Sequence, residues 1–524
     1  MRKILLAFLT LSAMVVFLGC VEEDPTLEDD DPQNENNDEP IPDEPLTFDE
    51  IYATLNSEIP YFFNRDIILP FIDDVELMWR FQNRTIEHVL LYEAPFIDQT
   101  VTLYVEATYQ NETKTYSFEM QQLAPDSARN RNVIYIEVDI PIDDVTKTEY
   151  RNAAVLVKGR SNDDHTILFE NNTVEIRGRG NSTWSMPKRP YRLKFSEDVS
   201  ILGMPKARNY VLLAEYADKS LLRNTIVHKF AGMLEHIEHA VETRAVEVYF
   251  NGSYNGVYTL TEHIRIHENK LYVPSDLNNL DAGFFMELDQ RFYDHGYQEW
   301  VDGINVSSKP YTFKHPNRDD LSRSQMEYIR NYIIDMENAL RNHTNYEDYI
   351  DVDNFIDYFI VQELFKNVDV GWGSVFFYKR PGEVLKMGPI WDFDLAIGNA
   401  NYIDYGPENW YGMRHDKNLW FHLMMDIPEI RDRFRTRYFE IYYTIIPDLL
   451  EAVNRLGDAM VPMANRNFNR WDILGHYVWP NPQAMVDRNT YRGQLEYVYD
   501  YIEARAEWIY HAVQTPEFNN GIFH

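Results

Sequence analysis

Hydrophobic and polar positions divide the chain into stretches of different character. Residues 4–19 form one apolar run behind Met1-Arg2-Lys3, and residues 21–50 are polar, acidic and rich in Pro and Asn. From about Thr47 to Gln122, short runs of branched and aromatic residues recur at 75–81, 87–92 and 100–109. Gln110-Asn111-Glu112 then separates 101–105 from 115–118, which predicts a hairpin. Several strands within about 80 residues predict a small β-sandwich of immunoglobulin-like kind. A polar linker, 127–132, leads to predicted strands at 133–138, 154–158, 173–177, 191–195 and 210–214. A helix is predicted to start near Asp218, as cap, and to run through Leu222, Ile226 and Phe230. Residues 247–251 and 256–262 predict a hairpin across Asn251-Gly252, and 284–288 another strand. Beyond it the pattern turns helical. Met326, Ile329, Ile333, Met336 and Leu340 follow Ser322 at one-face spacing, and 354–365 is a more apolar helix. A hairpin at 374–378 and 384–387 interrupts the helices, which resume from about Ile427.

The terminal pattern is that of a secretory signal: basic start, apolar run, abrupt end. Phe17-Leu18-Gly19-Cys20 resembles the bacterial lipoprotein processing site, in which the cysteine becomes the lipidated N-terminus. Cys20 is the only cysteine in 524 residues, so an intramolecular disulfide framework or a multi-cysteine metal site is excluded. Residues 21–50 hold 14 acidic and no basic side chains. They cannot bury enough apolar surface to fold, and they read as a solvated tether. The expectation is a lipid-anchored, extracytoplasmic protein at the cell envelope, touching membrane through the anchor only.

The net charge of −35 argues against sequence-independent nucleic-acid binding, and no nucleic-acid partner is expected. Within this acidic chain, residues 177–194 carry six basic side chains and no acid. Arg177-Gly178-Arg179-Gly180-Asn181-Ser182-Thr183-Trp184 runs on to Lys188 and, on the next strand, Lys194. Glycines allow close backbone approach, and guanidinium, amide and hydroxyl donors suit phosphate or carboxylate. A tight hairpin with a solvated basic face has the same composition.

Two acidic segments complete the pattern. Asp369, in Asn367-Val368-Asp369-Val370-Gly371-Trp372-Gly373-Ser374, can accept a hydroxyl proton, or can equally close the preceding helix as a turn acid. Asp392 and Asp394, in Gly388-Pro389-Ile390-Trp391-Asp392-Phe393-Asp394, stand just beyond a strand. Carboxylates at i and i+2 there suit Mg²⁺, which takes a few carboxylates plus phosphate oxygens and water. Basic Gly-rich loop, strand lysine, loop acid, hairpin and post-strand acid follow the order of parts used by protein kinases. The short kinase motifs themselves are absent, and Ser374 stands where a kinase catalytic loop places a metal-binding Asn.

Residues 177–184 with Pro187-Lys188-Arg189-Pro190-Tyr191-Arg192-Leu193-Lys194-Phe195 resemble the signature of CotH-type proteins, the spore-coat protein H-like atypical secretory kinases. So do Leu212-Leu213-Ala214-Glu215-Tyr216-Ala217-Asp218-Lys219-Ser220 through Asn224, Val248-Tyr249-Phe250-Asn251-Gly252 with Gly256-Val257-Tyr258, and residues 388–394. The resemblance covers about 133–505. It implies a divergent kinase fold, ATP with Mg²⁺ or Mn²⁺, and Ser/Thr phosphorylation of secreted or surface proteins. Asp369 then resembles the catalytic-loop Asp and Asp392 the metal-binding Asp. Lys194 resembles the nucleotide-contacting strand lysine, and Asp394, Arg177 and Glu262 stand behind these as further candidates.

The expected fold class is therefore α+β: a divergent bilobal protein-kinase-like domain (133–515) preceded by a small immunoglobulin-like β-sandwich (51–125), a tether (21–50) and a signal (1–20). Expected ATP contacts are Arg177, Gly178, Arg179, Gly180, Lys188, Lys194 and Glu262, with a glycan or protein as candidate ligand of the sandwich. The rival expectation is a surface adhesion or scaffold protein whose kinase-like domain binds without turnover.

Overall fold

The computed structural model describes residues 45–60, 62–63, 67–81, 84–91, 99–122, 132–161, 164–403 and 405–523. The signal, Cys20, the tether as far as residue 44 and most of the 127–132 linker lie outside them. The chain falls into two units, 1–53 and 54–524. Of the first, the described residues open helix α1 (Phe48–Glu58), where Thr47 and Glu50 exchange hydrogen bonds as a capping box.

The second unit is α+β, as expected. Strands β1 (Phe62–Phe63), β2 (Ile67–Ile68), β3 (Glu76–Phe81), β4 (Arg84–Ile86), β5 (Val89–Leu90), β6 (Gln99–Tyr109) and β7 (Glu112–Gln122) come first. They form a five-stranded sheet, β1-β7-β6-β3-β4, and a separate pair, β2-β5. The β6–β7 hairpin forms at the expected place, in register from Tyr109↔Glu112 to Gln99↔Gln122. Gln110 and Asn111 both take positive φ there, 50° and 66°, which a two-residue turn between twisted strands requires.

A closed seven-stranded barrel follows, built from β8 (Val133–Val138), β9 (Arg151–Ser161), β10 (Asp164–Gly178), β11 (Tyr191–Val199), β12 (Ala207–Leu213), β13 (Thr243–Phe250) and β14 (Ser253–Glu262). Its order is β10-β11-β12-β14-β13-β8-β9, with β9 pairing back onto β10. Each strand sends an i, i+2 pair into one core: Ile134/Ile136, Val155/Val157, Val174/Ile176, Leu193/Phe195, Tyr210/Leu212, Val246/Val248 and Tyr258/Leu260. That is the two-residue period of a strand with one buried face. Between β12 and β13 runs α2 (Arg223–Ala231), five residues later than its expected start. Asp218 still serves its entry, accepting from the Arg223 amide at 2.8 Å and the Ser220 amide at 3.0 Å.

The next sheet holds β15 (Phe284–Leu288), β16 (Gly303–Val306), β17 (Lys309–His315), β18 (Val375–Lys379) and β19 (Lys386–Met387) in the order β16-β17-β15-β18-β19. The β16–β17 hairpin replaces helix expected after residue 288. Its turn is Ser307-Ser308, at φ 49° and 61°, two residues that carry no glycine or asparagine signal.

The helices are α3 (Arg323–Arg341), α4 (Val352–Leu364), α5 (Leu419–Met425), α6 (Pro428–Thr444), α7 (Ile446–Arg470), α8 (Gln483–Val486) and α9 (Tyr491–Ala512); α3 touches β16 and α4 touches β19, while α7 packs on β14 of the barrel. Helix α3 carries the expected one-face run after Ser322, and Ser322 caps it through a capping box with Gln325. Helix α4 is buried nearly all round, because it touches α2, α6, α9 and β19. Among the described residues, no helix is long and apolar enough to cross a membrane.

Candidate active site

Three chain segments meet where the barrel strands give way to the second sheet. Strands β15 and β18 are antiparallel neighbours with Leu288 opposite Val375, so Asp289 and Ser374 leave the sheet at the same end. The loop before β18 carries Asp369; the segment after β19 carries Asp392 and Asp394. Asp392 sits at φ 70° and Ser374 at φ 56°, a left-handed conformation that is uncommon outside glycine, though Asp tolerates it better than Ser, and that gathers at functional sites. The Ser374 hydroxyl donates to Asp392 Oδ2 at 3.0 Å.

Electrostatics tie the acids into one group. Burial, and then the charge of Asp392, push the Asp369 carboxyl up to about 7, against the pull of Arg291. Burial and the charges of Asp392, Glu215, Asp218 and Asp369 hold the Asp394 carboxyl well above the usual range. Glu215 is likewise pushed up to about 7, by burial and by Asp218. Its own φ is 49°, and Asn224 Nδ2 donates to its two oxygens at 3.1 and 3.3 Å. Asn224 Oδ1 accepts the Phe393 amide at 2.8 Å, so one α2 residue fastens Glu215 to the backbone between the two aspartates. Arg223 beside it is fully buried on Asp218 and donates to the carbonyls of Ala396 and Ile397 at 3.0 and 3.1 Å.

Two guanidinium groups border these acids. Arg179, in the loop between β10 and β11, lies 5.7 Å from the centre of the Trp391 ring. Burial lowers its pKa, while Asp392, Asp394 and Glu215 work against the drop. Gly178 beside it is obligatory, since a Cβ there would fall 2.2 Å from the Trp184 ring. From the other side, the Asp369 and Asp392 charges act on Arg291.

The remaining expected contacts are engaged with partners of their own. Lys188 is buried, donating to the Val257 carbonyl and to Asn467 Oδ1; burial pulls its ammonium down to about 7, with Glu215 opposing. Lys194 pairs with Glu175 at 2.7 Å, both side chains close to half exposed. Arg177 lies 4.8 Å from the Tyr150 ring centre and donates to the Lys147 carbonyl. Glu262 is buried against Lys270 and His239; burial works against its charge, but those partners hold it at about 2. Gly180, at φ 88°, gives its carbonyl to Lys147 at 3.1 Å. The structure thus brings Arg179, Asp369, Asp392 and Asp394 together. It adds Glu215, Asp218, Asn224, Asp289 and Arg291, which sequence reasoning did not select as site residues.

The family model of the CotH kinase protein matches residues 176–509, more than half of the chain. The chain belongs to the CotH kinase family. No curated protein matches the chain. Membership marks a kinase-like enzyme and, in general, a requirement for ATP and a divalent metal. The matched span opens inside β10 and closes within α9, so it contains every acid of the site.

Among the described residues, no three His, Cys, Asp or Glu side chains are arranged to hold a metal ion. The donor chemistry nevertheless fits a hard cation. Mg²⁺ and Mn²⁺ accept one or two carboxylates with phosphate oxygens and water, and a cation there would offset the burial and the neighbouring negative charges that raise the Asp394 carboxyl. An exposed aromatic ledge borders the acids: Tyr402 and Trp479 are 52% and 49% exposed and stack with ring centres 6.0 Å apart. The Asp369 and Asp394 charges act on the Tyr402 hydroxyl.

Proposed function

We propose that this CotH-family chain is an extracytoplasmic atypical protein kinase, anchored through Cys20, that transfers the γ-phosphate of ATP to Ser or Thr of secreted or surface proteins. In this reading the barrel with α2 and the helical part with its sheet act as two lobes around the nucleotide. The small sheet within residues 51–125 would carry the enzyme or bind a glycan or protein. The observation that supports it best is the convergence of Asp369, Asp392, Asp394 and Glu215, from three separate segments, between Arg179 and Arg291. Uncompensated acids flanked by guanidinium groups suit a metal–polyphosphate ligand, which brings both charges at once.

Asp392 and Asp394 would hold the metal, which neutralises charge on the phosphates when bound. Arg179 binds phosphate oxygens, and Trp391 fixes its guanidinium by stacking. Asp369 orients the acceptor hydroxyl and takes its proton as the hydroxyl oxygen bonds to the γ-phosphorus and the bond to the ADP oxygen breaks. Positioning and charge placement supply the catalysis. The test is labelling of the protein itself, or of a Ser-rich acceptor, with γ-labelled ATP and Mn²⁺. Asp369→Asn and Asp392→Asn should each abolish labelling while the fold persists; undiminished labelling in both rejects the assignment.

The aromatic ledge favours a second reading, a surface scaffold that binds polysaccharide or a partner without turnover. Thermal shift separates the two. Stabilisation by ATP only with Mn²⁺ supports the kinase, and stabilisation only by glycans supports the scaffold.

A further inference from the structure

In a protein kinase the residue five places after the catalytic-loop acid is an Asn that holds a second divalent cation. Counted from Asp369, that place is Ser374. Its hydroxyl is committed to Asp392 Oδ2 at 3.0 Å, and a guanidinium stands on its other side. Arg291 Nη2 lies 3.4 Å from Ser374 Oγ.

The position of this arginine is built. Its Nε donates to Asp289 Oδ1 at 2.7 Å, and its backbone amide donates to the same oxygen at 3.0 Å. The neighbouring Gln290 laces the corner to the Asp369 loop, through its amide to the Trp372 carbonyl at 2.8 Å and its side chain to the Gly371 carbonyl at 2.7 Å. Gly373 leaves the space: a Cβ there would come 2.8 Å from Arg291 Nη2 and 3.1 Å from Asp289 Oδ1. A chain of contacts, Asp289–Arg291–Ser374–Asp392, therefore runs along the edge of the acid group. The charges of Asp392 and Asp369 both act on the guanidinium. A guanidinium keeps its charge at any physiological pH and matches phosphate oxygens with a planar fork.

Resting on the kinase reading above, we infer that Arg291 stands in for the second divalent cation. The enzyme works with one metal ion per active site, at Asp392 and Asp394, and Arg291 supplies the fixed positive charge that a second ion would bring to the phosphate oxygens. Ser374 in the Asn place is then a matched change, since a hydroxyl bridges guanidinium to carboxylate without offering an amide oxygen to a metal.

The experiment counts Mn²⁺. Wild-type protein is titrated with Mn²⁺ in the presence of a non-hydrolysable ATP analogue, and free Mn²⁺ is followed by electron paramagnetic resonance. One nucleotide-dependent Mn²⁺ per chain is expected. Arg291→Ala should lower kcat by about a hundredfold, the scale of losing one preorganised charge donor, with a much smaller change in KM for ATP. Arg291→Ser combined with Ser374→Asn should bind a second Mn²⁺. Two Mn²⁺ ions on the wild-type chain overturn the inference and leave the kinase reading intact. No nucleotide-dependent Mn²⁺ at all overturns the kinase reading, and this inference with it. If Arg291→Ala does not fold, the wild-type count still decides.

Discussion

Lys188 and Asn467 lie 279 residues apart in sequence, and the lysine ammonium donates to the asparagine Oδ1 at 3.0 Å. The same oxygen accepts the Val257 amide at 3.0 Å. Asn467 on α7 is thereby the point at which the Gly-rich loop and strand β14 are joined to the helical half.

Asn467→Leu leaves the buried Val257 amide without its acceptor and the Lys188 ammonium with the Val257 carbonyl alone, at an expected cost of about 1–3 kcal/mol for the stranded amide. Gly256→Ala acts on the same junction. Gly256 has φ 106°, and a Cβ would fall 2.5 Å from Asn467 Oδ1, so no side chain fits without displacement. Both variants should show lowered urea midpoints.

Arg505 and Glu363 are fully buried on one another at 2.6 Å. Glu363 also accepts the amides of Tyr411, Gly412 and Met413, so its charge is committed on several sides. Arg505→Met should cost about 3–5 kcal/mol, because a buried carboxylate loses its counter-charge. Arg505→Met with Glu363→Gln should recover part of that loss in the same denaturation assay.

His228 is buried beside Trp391, with ring centres 6.0 Å apart, and neither ring nitrogen has a hydrogen-bond partner among the described residues. Burial pulls its imidazole down to about 4, although Glu262 acts the other way. Below the ordinary value of 6.5 the unfolded chain takes up a proton that the folded one refuses. The stabilisation is thus complete above pH 6.5 and is lost as pH falls towards 4. His263, buried and shifted the same way, adds to this limb. His228→Leu should flatten, without abolishing, the fall in melting temperature over that window.

On the kinase reading, Asp369 would give activity a pH dependence. With its carboxyl pushed up to about 7, the proton-accepting form becomes dominant only above that pH. Phosphate transfer should rise through pH 7 in a pH–rate profile at saturating ATP. A flat profile from pH 5.5 to 8.5 would remove Asp369 from the role of proton acceptor.

Local pattern was sufficient for much of this. Short local runs placed the barrel strands, Asn251-Gly252 placed its last hairpin, and the spacing of Met326 to Leu340 after Ser322 placed α3, because each signal acts between neighbours in the chain. Asp369, Asp392 and Asp394 stand out in the sequence for the same reason, as acids just after a helix or a strand. Closure of the barrel was not, since the pairing of β8 with β13 joins residues more than a hundred positions apart. Nor was the fate of the basic stretch 177–194. Its six charges look alike in sequence, yet the fold turns Arg179 towards the acids, buries Lys188 on Asn467 and leaves Lys194 paired with Glu175. Strand alternation and the reach of each side chain decide that division. Arg291 carries no sequence signal at all. Only the β15–β18 register brings it to Ser374, because the effect of a charge depends on distance in space and not along the chain.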